Sequence, residues 1–148
     1  MISVHKITDQ QELKRAFKIR EEVFVREQEV APEEEYDEYE ETSTHFIAYD
    51  ADGNPCGTAR WRRTDHGIKL ERFAVLKKFR KTGIGSLLVK RVLDDILKSS
   101  STEPITVYMH AQTHAVPFYK KFGFESTGPE FDECGIMHFE MHLKNKGH

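Results

Sequence analysis

The stretch Arg80-Lys81-Thr82-Gly83-Ile84-Gly85 separates a strand-like segment at 70–75 from an amphipathic segment at 86–97. Glycines at positions 83 and 85 remove side chains that would keep a ligand away from the backbone. A helix that begins here directs its free N–H groups and the positive end of its dipole at an anion. The stretch therefore predicts a phosphate-binding loop between a strand and a helix.

The spacing distinguishes between three kinds of phosphate-binding loop. The P-loop pattern G-x-x-x-x-G-K-[ST] is absent, and a dinucleotide-binding loop would have a third small residue where Leu88 stands. The remaining pattern, [RQ]-x-x-G-x-[GA] between a strand and a helix, has Arg80, Gly83 and Gly85 at its defining positions. This pattern resembles the coenzyme A signature of the GNAT acetyltransferases.

A second motif lies downstream, with Ala115, Phe118, Tyr119, Gly123 and Phe124 in the pattern A-x-x-F-Y-x-x-x-G-F. It resembles the GNAT helix that follows the fifth strand and whose tyrosine lies beside the coenzyme A sulfur. The resemblance therefore implies that Tyr119 borders the sulfur. The phenylalanines of this segment are expected to pack in the core.

The two ends of the chain extend the resemblance. Residues 19–28 contain R-x-x-V-F-x-x-E-Q, His45-Phe46 follows, and residues 135–141 contain G-I-x-H-x-x-M. These elements are similar to those of the ElaA-like branch of the GNAT proteins. The resemblance thus covers nearly the whole chain, and it implies a fold and a cofactor but no particular acceptor.

Periodicity and turn residues predict the order of the elements. Asp9 and Glu12 are spaced as a capping box, which predicts a helix through about Glu27. The acidic stretch 29–43 is expected to be a mobile loop with a solvated surface, although its carboxylates could instead attract a cationic amine. The other predicted elements are an edge strand at 2–7, meander strands at 45–51, 56–63 and 68–75, a helix at 83–98 ended by a linker at 99–102, a strand at 105–109, a short helix at 113–122 and a last strand at 136–143.

These elements by themselves predict an α/β (α+β) fold. The resemblance adds a mixed, mostly antiparallel, twisted sheet flanked by helices and splayed between strands 4 and 5, where the pantetheine arm would enter. A chain of 148 residues suits one core, and no linker divides it. We therefore expect a single domain over residues 1–148.

Composition excludes several functions. A net charge of −3 gives no general attraction to nucleic acid, and no apolar run approaches the ~20 residues needed to cross a bilayer. The first residues lack the basic and apolar segments of a secretory signal, so a cytoplasmic location is expected. Cys56 and Cys134 are expected to pack, and the eight histidines lack the spacing of metal ligands.

The resemblance implies that the loop and the preceding strand bind the donor. Backbone N–H groups of residues 83–86 would hold the pyrophosphate, and Arg80 and Lys81 would add positive charge. The main chain of residues 73–75 would pair with pantetheine like another strand, and an N–H near Val75 would bind the oxyanion. The expected contacts of the cofactor are Phe73, Ala74, Val75, Arg80, Lys81, Thr82, Gly83, Ile84, Gly85, Ser86 and Phe118.

Acetyl transfer also requires an acid and a base. Tyr119 is expected to protonate the leaving thiolate, because a phenol of pKa about 10 is reasonably matched to a thiol of about 8.5. Glu71 is the first candidate for the base, and the alternative is that it forms salt bridges with Arg60, Arg62 or Arg72. The polar groups implied on the acceptor side are Arg20, Glu27, Gln28, His45, His110 and His138, of which His110 could deprotonate an amine near neutral pH.

The resulting hypothesis is an acetyl-CoA-dependent N-acetyltransferase whose acceptor, a primary amine of a small molecule or peptide, attacks the thioester directly. The alternative is a non-catalytic acyl-CoA-binding module with a regulatory or protein-interaction role. The resemblance is compatible with a homodimer. Nucleic acid, membrane and metal partners are not expected.

Overall fold

The computed structural model describes residues 2–99 and 105–144, which form one seven-stranded sheet flanked by helices. Most of the predicted linker at 99–102 lies outside these residues. The strands are β1 (Ser3–Lys6), β2 (Thr44–Tyr49), β3 (Pro55–Thr64), β4 (Gly67–Val75), β5 (Val107–Gln112), β6 (Phe124–Glu133) and β7 (Ile136–Leu143), in the spatial order β1-β2-β3-β4-β5-β7-β6. The helices are α1 (Gln10–Arg20), α2 (Pro32–Glu35), α3 (Ile84–Ser99) and α4 (Val116–Lys120).

The predicted α+β architecture is confirmed. Strands β1 to β4 are joined by antiparallel pairings, as the short turns predicted for the meander, and β5, β7 and β6 are also paired antiparallel. Among the described strands, β4 and β5 form the one parallel pair. The sheet is therefore mixed and mostly antiparallel.

The splay between β4 and β5 is also confirmed. Their pairing covers three residue pairs and ends at Leu70 opposite Met109, although both strands continue beyond this point. On its other edge β4 bulges, because two residues lie between Glu71 and Ala74 where β3 has one. Arg72 adopts a φ of 57° in this bulge. The two strands consequently diverge and leave an opening between their ends.

The first helix differs from its prediction at both ends. Asp9 accepts a hydrogen bond from the Glu12 N–H at 2.8 Å, but the Glu12 carboxylate binds the Tyr49 hydroxyl and does not return to the cap. After Arg20 the chain continues as a π-helical segment over Glu21–Glu27, in which hydrogen bonds reach back five residues. This wider turn precedes the acidic segment.

Helix α3 packs an apolar face on the sheet. Leu88, Val89, Val92 and Ile96 are buried in the main core. Gly57 on β3 allows the close approach, since a Cβ at this position would lie 3.0 Å from Leu88 Cδ1. The helix behind the glycine loop is therefore held firmly against the sheet.

The acidic segment was expected to be a mobile loop with a solvated surface, and most of its carboxylates are exposed, but three of them are buried or half-buried in ion pairs. Residues 32–35 form α2, and three carboxylates of the segment bind arginines from α1, β3 and β4. Arg60 and Arg20 are both almost wholly buried. The ion pairs within 3.2 Å are Arg20–Glu35, Arg20–Glu40, Arg60–Asp37, Arg60–Glu40, Arg72–Glu35 and Arg72–Asp37.

Strand β6 is absent from the sequence-based prediction. Its residues are mostly polar and exposed, and it contains Gly128 and Pro129, which are typical of turns. It nevertheless pairs with β7 as an edge strand.

Stability in acid tests the arginine–carboxylate network. Burial opposes ionisation, but Arg60 holds the pKa of both Asp37 and Glu71 at about 2, below their ordinary values of 3.8 and 4.5. Because these pKa values are lowered in the folded chain, the stabilisation is present above about pH 4.5 and is lost as the pH falls toward 2. We expect Arg60→Met to lower the free energy of unfolding by about 3–5 kcal/mol at pH 7 and to flatten its dependence on pH in this window.

Urea unfolding of both proteins between pH 3 and 7 measures this effect. Lys98→Met is the control, because it breaks the exposed Asp94–Lys98 pair and should cost less than about 0.5 kcal/mol. Equal losses in the two variants would contradict a special role for the buried network.

Candidate active site

A cavity of about 510 Å³ occupies the opening between β4 and β5. Its walls come from the π-helical segment, the splayed half of β4, the end of β5, helix α4 and the β6–β7 turn. It therefore joins segments that are far apart in the sequence. The predicted site residues that line it are Glu27, Gln28, Glu71, Phe73, Ala74, Val75, Arg80, His110, Tyr119 and His138.

The glycine loop leads from β4 into α3 and leaves its backbone open. Gly83 has a φ of +92°, and a Cβ at this position would meet no atom within 4 Å. The first hydrogen bond of α3 runs from Leu87 N–H to the Gly83 carbonyl, so the N–H groups of the preceding residues have no intrahelical acceptor. The Ile84 side chain is buried in the core, which leaves only its main chain for a ligand. These features fit a diphosphate held by backbone N–H groups.

The remaining side chains of the loop differ in what they offer. Lys81 is exposed with a φ of 66°, and Ser86 is half-buried at the start of α3. The Thr82 hydroxyl donates to the Phe79 carbonyl and so closes the preceding turn. Gly85 faces Phe118, whose Cζ would lie 3.4 Å from an added Cβ. The predicted contacts Phe118 and Gly85 are therefore neighbours.

Arg80 is tied to two groups at the cavity. Its Nε donates to the Val75 carbonyl at 2.8 Å, and its two terminal nitrogens bind the Glu27 carboxylate at 2.6 and 2.7 Å. The Arg80 hydrogen bond lowers the pKa of Glu27. The sequence predicts Glu27 on the acceptor side and Arg80 at the donor, whereas the structure pairs them with each other.

Tyr119 lies in the cavity wall with an unused hydroxyl. Its ring packs between those of Phe73, Phe118 and Phe124, and 9% of the residue is exposed. No described residue hydrogen-bonds to the hydroxyl, and burial raises its pKa. The phenol is therefore neutral, keeps its proton and is available to a ligand in the cavity.

Glu71 forms salt bridges, which is the predicted alternative to a role as the base. Its carboxylate lies 2.8 Å from Arg60, 2.8 Å from Arg62 and 3.3 Å from Lys69. Although burial opposes ionisation, these cations hold its pKa at about 2. A carboxylate this acidic is a poor acceptor for the proton of an ammonium group. The structure thus gives no support to Glu71 as the base.

Arg20 and His45 do not line the cavity, contrary to their predicted place near the acceptor. Arg20 is 1% exposed and binds Glu35 and Glu40. The His45 Nε2 donates to the Glu40 carbonyl at 2.7 Å, and burial lowers its pKa. Both side chains hold the acidic segment in place and cannot reach a substrate in the cavity.

Like Glu27, the predicted acceptor groups Gln28, His110 and His138 line the cavity. Gln28 pairs with Gln112 at the end of β5, with the shorter amide contact at 2.8 Å. Both ring nitrogens of His110 face carboxylates, Nδ1 at 2.9 Å from Glu133 and Nε2 at 3.3 Å from Glu140. His138 is 7% exposed, and its Nδ1 donates to the Ile136 carbonyl at 2.7 Å.

The structure adds residues that the sequence analysis missed. Glu34, Gln112, Glu133 and Cys134 all line the cavity. Cys134 is exposed, so its predicted packing role is wrong. Only the motif that begins at Gly135 marked this region in the sequence, because β6 lacks the apolar alternation that would have identified it. Separately, none of the helices in the described ranges is long and apolar enough to cross a membrane.

Comparison with known proteins identifies relatives over nearly the full length. The family model described as "Acetyltransferase (GNAT) domain" matches residues 4–145. The uncharacterized N-acetyltransferase YjcF of Bacillus subtilis (strain 168) is 43% identical over 134 residues, covering 90% of this chain and 93% of that protein. This degree of identity over nearly the whole chain exceeds what a shared fold alone would give.

Solved structures share the fold at lower identity. Escherichia coli ElaA superimposes with a TM-score of 0.85 at 24% identity, covering 97% of this chain and 100% of ElaA. A GNAT family acetyltransferase from Elizabethkingia anophelis, solved with acetyl-CoA bound, has a TM-score of 0.68 at 18% identity and coverage of 95% and 94%. The arrangement of strands and helices is thus common to all three.

The glycine loop can be tested with Gly83→Ala. A methyl group on the open side of the loop and the positive φ should together turn the N–H groups away, so we expect the Kd for coenzyme A to rise about tenfold or more. The matched control is Gly53→Ala, since Gly53 has a φ of +84° and equally free space but lies in the β2–β3 turn. Thermal unfolding should show similar stability in both variants. Calorimetric titration should show weakened coenzyme A binding in Gly83→Ala alone. Normal binding by Gly83→Ala would contradict the predicted cradle.

Proposed function

The chain belongs to the GNAT acetyltransferase family and is therefore an acyltransferase with an acyl-CoA donor, and from this premise we propose that it acetylates a primary amine of a small molecule or peptide. One observation carries the proposal. A single cavity runs from the splayed edge of β4 beside the glycine loop, past the unpaired Tyr119 hydroxyl, to a polar wall on β5 and β7. Donor, acid and acceptor could thus meet in one space.

The donor would lie along the loop and the free edge of β4. Main-chain N–H groups of residues 83–86 would bind the diphosphate, assisted by the helix dipole. Lys81 would add charge, and Arg80 would do so from its place beside Val75. Residues 73–75 of β4 have no partner on the β5 side, so pantetheine can pair there as a strand would. A main-chain N–H near Val75 would then meet the oxyanion.

Acetyl-CoA supplies an activated acetyl group and a thiolate as the leaving group. Tyr119 would donate a hydrogen bond to the sulfur. Because burial keeps the phenol neutral, Tyr119 would give its proton to the sulfur only as it takes up a second proton. The attacking nitrogen provides that second proton as the C–N bond forms and the C–S bond breaks. Tyr119 then ends the cycle in its starting state, and the products are the amide and the free thiol.

The charges at the far end of the cavity support a cationic acceptor. Lys69 is bound to Glu71 and Arg72 to Asp37, so these two cations are already neutralised. Glu34 and Glu133 contribute carboxylates to the same wall. An amine acceptor arrives mainly as an ammonium ion, which carboxylates attract. The carboxylates of the acidic segment thus contribute to acceptor binding mainly through Glu34.

Two measurements test the proposal in order. Acetyl-CoA should raise the Tm progressively with concentration, as binding to the folded state requires. Release of free thiol should then be followed with small amines, amino sugars and peptide N-termini. Stabilisation without thiol release from any amine would instead indicate the non-catalytic acyl-CoA-binding module.

Tyr119→Phe tests the acid. We expect kcat to fall about 10²–10⁴-fold, because the leaving thiolate loses its proton donor, while the Kd for coenzyme A stays within about twofold. Tyr39→Phe is the control, since Tyr39 is exposed and does not line the cavity. Free-thiol release and calorimetry provide the two readouts. An unchanged kcat in Tyr119→Phe would rule out the acid role.

A further inference from the structure

His138 presents an accessible and unpaired imidazole nitrogen in the wall of the cavity. His138 lies in the middle of β7, opposite Gln112 of β5 and Phe131 of β6, and its ring stacks on Phe131 with centroids 5.9 Å apart. No described residue hydrogen-bonds to its Nε2. His138 Nε2 is not fully enclosed, since among the described residues Arg72 Nε is the one fully enclosed side-chain nitrogen or oxygen without a hydrogen bond. Because His138 lines the cavity, its Nε2 remains accessible there.

The tautomer of His138 follows from its other nitrogen. Nδ1 lies 2.7 Å from the Ile136 carbonyl, and a carbonyl oxygen can only accept a hydrogen bond. Nδ1 therefore carries the hydrogen, and in the neutral ring Nε2 carries the lone pair. The Phe131 stack and the low exposure of 7% fix the ring in this orientation.

We propose that His138 is the general base that deprotonates the acceptor amine, an inference that rests on the proposed acetyl transfer. The ammonium group gives one proton to Nε2, and the electron pair of that N–H bond stays on nitrogen for the attack on the acetyl carbon. The imidazolium then has an N–H at both nitrogens, and it releases the added proton to water after transfer. Together with the Tyr119 exchange, this accounts for every proton of the reaction.

The other titratable groups around His138 are less suited to the role. His110 on β5 has both nitrogens directed at carboxylates, so no lone pair faces the cavity. Glu133 on β6 has a lowered pKa, first because His110 hydrogen-bonds to it and also because of the charges of His110 and His138. Its negative charge would instead stabilise the imidazolium that His138 becomes. His114 also lines the cavity, but it is exposed and no described residue hydrogen-bonds to its ring to fix the tautomer. The other titratable groups on this side are Glu34, Cys134, Lys69, which is bound to Glu71, and Glu140, which is bound to His110.

His138→Asn is the main test, because asparagine can still donate to the Ile136 carbonyl but cannot take up a proton. We expect kcat/KM for the amine at pH 7 to fall at least about 10²-fold. The pH profile of the wild type should show an acidic limb that the variant lacks. Stabilisation by coenzyme A should be unchanged, which shows that the variant is folded and binds the donor.

His142→Asn provides a matched control on the same strand. His142 lies four residues further along β7, binds Glu140 and does not line the cavity, so this variant should keep the wild-type profile. Added imidazole should also restore part of the activity of His138→Ala. Loss of the acidic limb in His110→Asn but not in His138→Asn would overturn the assignment.

The wild-type chain supplies a test that needs no variant. Nitrogen-15 spectra of labelled histidine should show the Nδ1–H tautomer for neutral His138, and the opposite tautomer would overturn the proposal. Failure of the two proposals can be told apart. If the wild type and His138→Asn are equally active, only the proposed base is contradicted. If the wild type binds acetyl-CoA but acetylates no amine, the proposed transferase function is contradicted, and the proposed base with it.

Discussion

The parallel contact between β4 and β5 ends after three residue pairs, and the site depends on this divergence. Each strand is held on its far side, β4 by β3 and β5 by β7, so the two cannot close again without losing those pairings. The bulge at Arg72 turns β4 away while it stays bound to β3. The backbone groups facing the gap lack a strand partner, and buried groups of this kind require water or a ligand. The sheet thus creates a slot that suits an extended, amide-containing arm.

The buried arginines connect this slot to the rest of the fold. Arg20 and Arg60 fix the segment that follows the π-helical turns, and this segment forms one wall of the cavity. Glu71 belongs to the same network, which explains why a carboxylate on the splayed strand is unsuited to proton transfer. Charged groups that look catalytic in the sequence therefore support the shape of the site. The proposed chemistry instead uses Tyr119 and His138, which each have one polar atom without a hydrogen-bond partner among the described residues.

Local signals allowed much of this architecture to be predicted from the sequence. The glycine loop depends on residues close together in the chain, and the meander follows from short turns between alternating segments. Strand β6 could not be found in this way, because an exposed edge strand needs no apolar alternation. Ion pairs such as Arg80–Glu27 join residues distant in sequence, so spacing gives no sign of them. The role proposed for His138 likewise depends on the carbonyl of Ile136, which the folded strand brings within 2.7 Å of Nδ1.

The pairing of Arg80 with Glu27 has a consequence for how an anion approaches the loop. The guanidinium already has an internal counter-ion, so a diphosphate bound as proposed would exchange one anionic partner of Arg80 for another and would displace few salt ions into solution. Attraction from long range then comes mainly from the helix N-terminus and Lys81. Association of the donor should accordingly be governed by shape and hydrogen bonding at the slot and should vary little with ionic strength.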